Sequence, residues 1–174
     1  FEAVPLIDLD RGRLLSFRTL LGHGRKLFIV PTGAVNEQQF DHNFSGDPMV
    51  YVTDDPVNGV WQPAMEPGFG DPSNRAITAL ASFANHLYAA TGNPERGFQL
   101  WKTSTRGKPP YRWHLVLRDG AGRYNLNALV PALTVFHGAL YVTTGLPGLG
   151  YDSANDIGPA AAELLRVYAD DRWE

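Results

Sequence analysis

Short runs of apolar and β-branched residues, broken by Gly, Pro, Asn and Asp, set the rhythm of this chain. In its middle stretch four such runs follow one another: Ile77–Ala84, His86–Thr91, Gly97–Thr103 and Tyr111–Leu117. Each has the length of a strand and is bounded by turn formers, which predicts β structure. "FANHLY" (Phe83–Tyr88) and "FHGALY" (Phe136–Tyr141) predict tight hairpins between the first and second strands of a unit. One stretch dissents. "GPAAAELLRVYADD" opens with good helix formers, so Ala160–Glu163 is expected to be helical and Leu164–Tyr168 a strand.

The runs repeat. "KLFIVPTG" (Lys26–Gly33), "HLYAATGN" (His86–Asn93) and "ALYVTTGL" (Ala139–Leu146) align on Leu27, Leu87 and Leu140. Downstream, "VYVT", "LWKT" and "LLRV" align, and then Trp61, Trp113 and Trp173. Gly68 matches Gly120, Gly70 matches Gly122, and Asn74 matches Asn127 if one residue is inserted. A fixed period of four short antiparallel strands predicts an all-β fold of β-propeller blades. The approximate units are 13–66, 76–118 and 130–174, and residues 1–12 are expected to add an N-terminal strand around Ala3–Asp10. About three blades make an incomplete ring, to be completed by other chains or by further sequence. A homodimer of six blades is the simplest closed solution.

The pattern Leu-Tyr-x-x-Thr-Gly, then Trp-Lys-Thr-Ser, then Gly and Trp resembles bacterial β-propeller repeats of the Asp-box and kelch-like kind. Thr53, Asp55, Gly59 and Trp61 give a stretched box. Ser104, Gly107 and Trp113 give another, with Arg106 in place of Asp and a Lys-Pro-Pro insertion; the third unit keeps Asp170, Asp171 and Trp173. The resemblance implies a structural turn, in which the carboxylate caps backbone N–H groups and the Trp packs between sheets. It implies a propeller and not a sialidase, since an arginine cluster and activated Tyr cannot be assigned to positions here.

Composition narrows the function classes. A net charge of −3 without a dense basic run argues against nucleic-acid binding. The absence of Cys excludes disulfides, thiolate metal sites and a Cys nucleophile. No run is long and apolar enough for a membrane helix, so no membrane insertion is expected. No basic-then-apolar leader opens the chain, while Phe1 leaves room for a processed or trimmed N-terminus.

"DHNFSGD" places Asp41, Asn43, Ser45 and Asp47 as the opening of a calcium loop, with alternating hard oxygen ligands. Val52 stands where a bidentate Glu belongs, so calcium is weighed against a solvated Asx turn. Asp152, Asn155 and Asp156 form a second acidic loop at the equivalent place. The histidines near the hairpins (His23, His86, His137) recur as turn residues rather than as a zinc set, and no Gly-x-Ser-x-Gly elbow or phosphate loop is present. Trp101, Trp113, Tyr88 and Tyr141 are expected in inter-blade packing. The cationic loop "TRGKPPYR" is the binding candidate, with Arg106, Lys108, Arg112 and Tyr111 meeting an acidic partner or glycan. The expectation is a non-catalytic module for protein interaction or assembly, in a bacterial periplasmic or extracellular setting. A carbohydrate-binding propeller, or a fragment of a propeller hydrolase or lyase, is the alternative.

Overall fold

The computed structural model describes residues 16–32, 48–146, 150, 151, 153, 154, 156 and 158–174. Among these the chain is almost entirely strand and turn, laid out as three antiparallel sheets in sequence order. The first sheet is β1 (Ser16–His23), β2 (Lys26–Thr32), β3 (Tyr51–Thr53) and β4 (Gln62–Pro63). The second is β5 (Ala76–Phe83), β6 (His86–Gly92), β7 (Leu100–Thr103) and β8 (His114–Leu117). The third is β9 (Leu133–Phe136), β10 (Ala139–Thr143) and β11 (Leu164–Val167), with a fourth edge begun by the Val167–Trp173 bridge. Every sheet is an up-and-down meander, and the first strand of each packs beside the first strand of the next, β1 on β5 and β5 on β9. This is the arrangement of propeller blades about an axis, with the first strand of each blade innermost.

The registers bear out the repeat residue by residue. Leu27 pairs with Thr53, Leu87 with Thr103 and Leu140 with Val167. Side-chain bonds repeat too. Thr91 Oγ1 accepts from the Gln99 amide (2.9 Å) and Thr144 Oγ1 from the Glu163 amide (2.8 Å). Asn74 Nδ2 donates to the Gly68 carbonyl and Asn127 Nδ2 to the Gly120 carbonyl, both at 2.9 Å. Each of those glycines opens a left-handed turn, with φ of 58° at Gly68 and 57° at Gly120. A Cβ on Gly120 would stand 3.0 Å from the Asn127 Cβ, so both the φ and the close approach call for glycine.

Two apolar layers hold the blades together. Between the first and second blades lie Phe28, Val30, Val52, Ile77, Leu80 and Leu87. Between the second and third lie Phe83, Tyr88, Leu100, Val130, Leu140 and Val142. Lysines cross both boundaries: Lys26 Nζ donates to Tyr111 Oη at 2.9 Å, and Lys102 Nζ meets both Asp171 oxygens at 2.6 Å. Phe69, in the loop leaving the first blade, stacks on Trp101 at 4.7 Å and meets Trp113 edge-on at 5.1 Å. Trp113 Nε1 then donates to the Ala64 carbonyl at 3.0 Å.

Ala160–Glu163 is not helical, contrary to the composition of that stretch. The backbone of Glu163 exchanges hydrogen bonds with Thr144, which holds the segment extended for entry into β11. Sheet pairing outweighs a local propensity of a few tenths of a kcal/mol per residue.

Candidate functional site

The innermost strands share an irregularity. β1 carries one residue more than its partner at Arg18, and β5 does so at Thr78. Between Leu129 and Leu133 the third blade again has an extra residue, at the equivalent position held by Pro131. Such β-bulges bend the strand and re-aim side chains. Here the bent segments border a half-open cavity of about 470 Å³ lined by Arg18, Thr19, Thr78, Leu80, Pro131 and Leu133, among others. Arg18 Nη1 donates to the Ile77 carbonyl (3.2 Å) and Thr78 Oγ1 to the Ala90 carbonyl (3.3 Å), so the bulges tie neighbouring strands as well. The cavity offers a guanidinium, hydroxyl oxygens and apolar walls at the axis, a size and chemistry suited to a small polar molecule.

The second feature is a face. On the second blade Phe83, Tyr88 and Leu100 point toward the third blade and are 7%, 0% and 0% exposed. Their equivalents on the third blade are Phe136, Tyr141 and Leu164. Phe136 is 58% and Leu164 64% exposed, with Tyr141 half-buried. The ring pair itself is kept: Phe83 and Tyr88 lie 5.9 Å apart, Phe136 and Tyr141 6.2 Å. The same side chains in the same register are covered in one blade and open in the next.

The cationic loop divides. Arg106, Lys108 and Arg112 are exposed, while Tyr111 is buried against Phe28 with Lys26 over its ring. Tyr111 is thus placed in the inter-blade layer rather than beside the three cations. Of the calcium candidates, Asp41, Asn43, Ser45 and Asp47 lie outside the described residues, as do Asp152 and Asn155. Asp156 accepts a hydrogen bond from the Tyr151 hydroxyl at 2.8 Å. Among the described residues no three His, Asp or Glu side chains cluster as a metal set, and no helix is long and apolar enough to cross a membrane.

At the stretched box, Asp55 Oδ1 accepts from the Val57 and Asn58 amides (3.1 and 3.0 Å), and Trp61 is buried against Ile29. The Asn58 amide is the main cause that holds the Asp55 carboxyl below its ordinary pKa. His23 Nδ1 shares a hydrogen bond with Ser82 Oγ at 2.7 Å across the first boundary. Burial, then His86 and Lys26, push its pKa down. Burial, with a lesser contribution from Asp171, pushes the Tyr88 hydroxyl up to about 12.

Sequence reading did not single out Arg18, Thr78 or the Phe136/Leu164 face. The signal was present for the face, since "FHGALY" repeats "FANHLY", but pattern alone does not tell which copy lacks a cover.

No protein-family model matches the chain, and no curated protein matches it. Among solved structures it is similar to Bombyx mori GH32 beta-fructofuranosidase BmSUC1, with a TM-score of 0.45 and 17% identity. The match covers 88% of this chain and 33% of that one, so the chain spans about a third of that protein's length. The blade arrangement described above rests on this chain's own strand order and packing.

Proposed function

We propose that this chain is a non-catalytic propeller module whose work is protein interaction or assembly, carried by the open face of the β9–β11 blade. One observation supports the reading above others: that face carries at Phe136, Tyr141 and Leu164 the residues by which the preceding blade buries itself. Exposed aromatic and aliphatic anchors beside a polar rim are the makings of a docking surface. The rim is supplied by Arg166, Glu174 and Tyr168, which bond to one another. The capped turn at Asp55 and the buried Trp61 support the Asp-box kind of repeat.

The chain has no Cys, so a thiol introduced at Thr134, exposed on β9, takes a single polarity-sensitive dye. Its emission should shift to the blue when unlabelled chain or the soluble extract of the source cells is added. A dye at Asn85, on the exposed hairpin of the second blade, should not respond. Emission at Thr134 that ignores both additions contradicts the reading.

The axial cavity favours a second reading, recognition of a small hydroxylated ligand such as a sugar. Calorimetric titration with mono- and disaccharides tests it, with Thr78→Val expected to weaken any binding several-fold. Silence across the panel removes it.

A further inference from the structure

Resting on that reading, we infer that the occupant of the open β9–β11 face is the first blade of a second copy of this chain, docked head to tail. Two copies then close one ring of six blades.

The inference starts from the two boundaries inside the chain, which show what a blade asks of its neighbours. Toward the following blade, the second blade presents Phe83, Tyr88 and Leu100 beside the axis. Toward the preceding blade it presents Ile77 and Leu80, which are 1% and 7% exposed. Among the described residues both halves of this contact are left uncovered. The following-side half is open on the third blade at Phe136 and Leu164. The preceding-side half is open on the first blade at Phe17 and Leu20, the register equivalents of Ile77 and Leu80, which are 43% and 65% exposed. One surface matches the other because each already has a covered homologue within the same molecule.

Charge follows the same logic. Lys102 crosses from the second blade to Asp171 in the outer turn of the third. The equivalent cation on the third blade is Arg166, paired in register with Tyr141 of β10 just as Lys102 pairs with Tyr88 of β6. Its Nε is buried without a hydrogen-bond partner, although Nη1 reaches Glu174 at 3.3 Å. The corresponding outer turn of the first blade carries the exposed carboxylate of Asp54. A second copy therefore brings an acidic group beside the exposed part of the Arg166 side chain.

A head-to-tail contact is heterologous, and it ends either in a ring or in a fibre according to the rotation it imposes. Within the chain the first strands already pack in succession, β1 on β5 and β5 on β9. Two such arcs make six blades, inside the range of about 4–8 in which propellers close.

Sedimentation velocity over a wide concentration range tests this on the chain itself. The wild type should run at twice the 19.1 kDa chain mass and dissociate on dilution. Leu164→Glu and Phe17→Glu, both at exposed positions, should each run at the single-chain mass with unchanged circular dichroism. An equimolar mixture of the two should recover a pair, because one intact contact can still form between them. A wild type at single-chain mass throughout overturns the second copy as occupant, while a dye response at Thr134 to extract alone leaves the docking face standing. A Phe17→Glu variant that still pairs by itself overturns the head-to-tail geometry, since only a face-to-face contact of two β9–β11 blades survives that change. Species larger than two chains overturn the closed ring.

Discussion

Phe83 and Phe136 are one residue in two situations, and replacing each by Ala turns the blade argument into numbers. Both sit at the end of a first strand, pair with the start of a second, and face a tyrosine ring near 6 Å. Phe83 is 7% exposed, sealed between the second and third blades. Emptying that site removes a buried aromatic and leaves a cavity, at a cost of about 3–5 kcal/mol. Phe136 is 58% exposed and has less than half of its surface to lose, so its removal should cost about 1 kcal/mol. In a chain of this size about 1 kcal/mol moves Tm by roughly 2–4 °C. Phe83→Ala should therefore lower Tm by about 10 °C, and Phe136→Ala by only a few degrees under dilute conditions. Differential scanning fluorimetry at several protein concentrations reads both. At high concentration the Phe136→Ala deficit should widen, because the variant also loses the cover that association provides. Equal losses at high dilution, or a Phe83→Ala protein as stable as the wild type, would refute the assignment of covered and open faces.

Four further outcomes are expected. A double-mutant cycle of Lys102→Met and Asp171→Asn should give a coupling of about 0.5–1 kcal/mol in urea denaturation, modest because the Asp171 side chain is 41% exposed. Gly97→Ala should destabilise by more than about 2 kcal/mol and broaden thermal unfolding, since φ is +91° and a Cβ there would collide with the Tyr124 carbonyl. The lowered pKa of His23 means the unfolded chain takes up its proton first. Its contribution to stability is full above the unfolded value of 6.5 and is lost as pH falls from there toward the lower folded value. Urea midpoints across that window should slope less steeply in His23→Gln. Tyr88 works in the opposite direction: with a folded pKa of about 12 against 10 unfolded, its contribution is lost as pH rises through that interval. Tyr151 and Tyr168 are also raised, by hydrogen bonds to Asp156 and Glu174, but ultraviolet difference titration should lose its step near pH 12 in Tyr88→Phe.

Much of the blade plan was legible because packing repeats where sequence repeats. The aligned leucines occupy one register position, and the three tryptophans stand at one place beside the third strand of each sheet. The one-residue insertion before Asn127 leaves its bond to Gly120 intact, because the extra length is taken up in the turn that follows Gly122. The bulges at Arg18 and Thr78 were hidden for a physical reason: one unpaired residue shifts the alternation of faces without changing composition. Tyr111 looked like a loop residue among cations. It is buried against Phe28 and under Lys26, which is 85 residues away, and no local pattern carries that. The run at Ala160–Glu163 misled because Thr144, distant in sequence, decides its conformation. Exposure at Phe136 is likewise a property of what lies beside a blade, which the blade's own residues do not encode.

The head-to-tail contact is the claim on which assembly, open face and ring closure all depend, and disulfide trapping tests it most directly. Ala79 and Val130 line the same cavity and share one apolar layer across the boundary of the second and third blades. Their equivalents are Ala132 on the open face and Phe17 on the first blade. In this Cys-free chain, Ala132→Cys and Phe17→Cys proteins mixed under mild oxidation should give one covalent species containing one chain of each. Bonds formed only between two Phe17→Cys chains or two Ala132→Cys chains would contradict it.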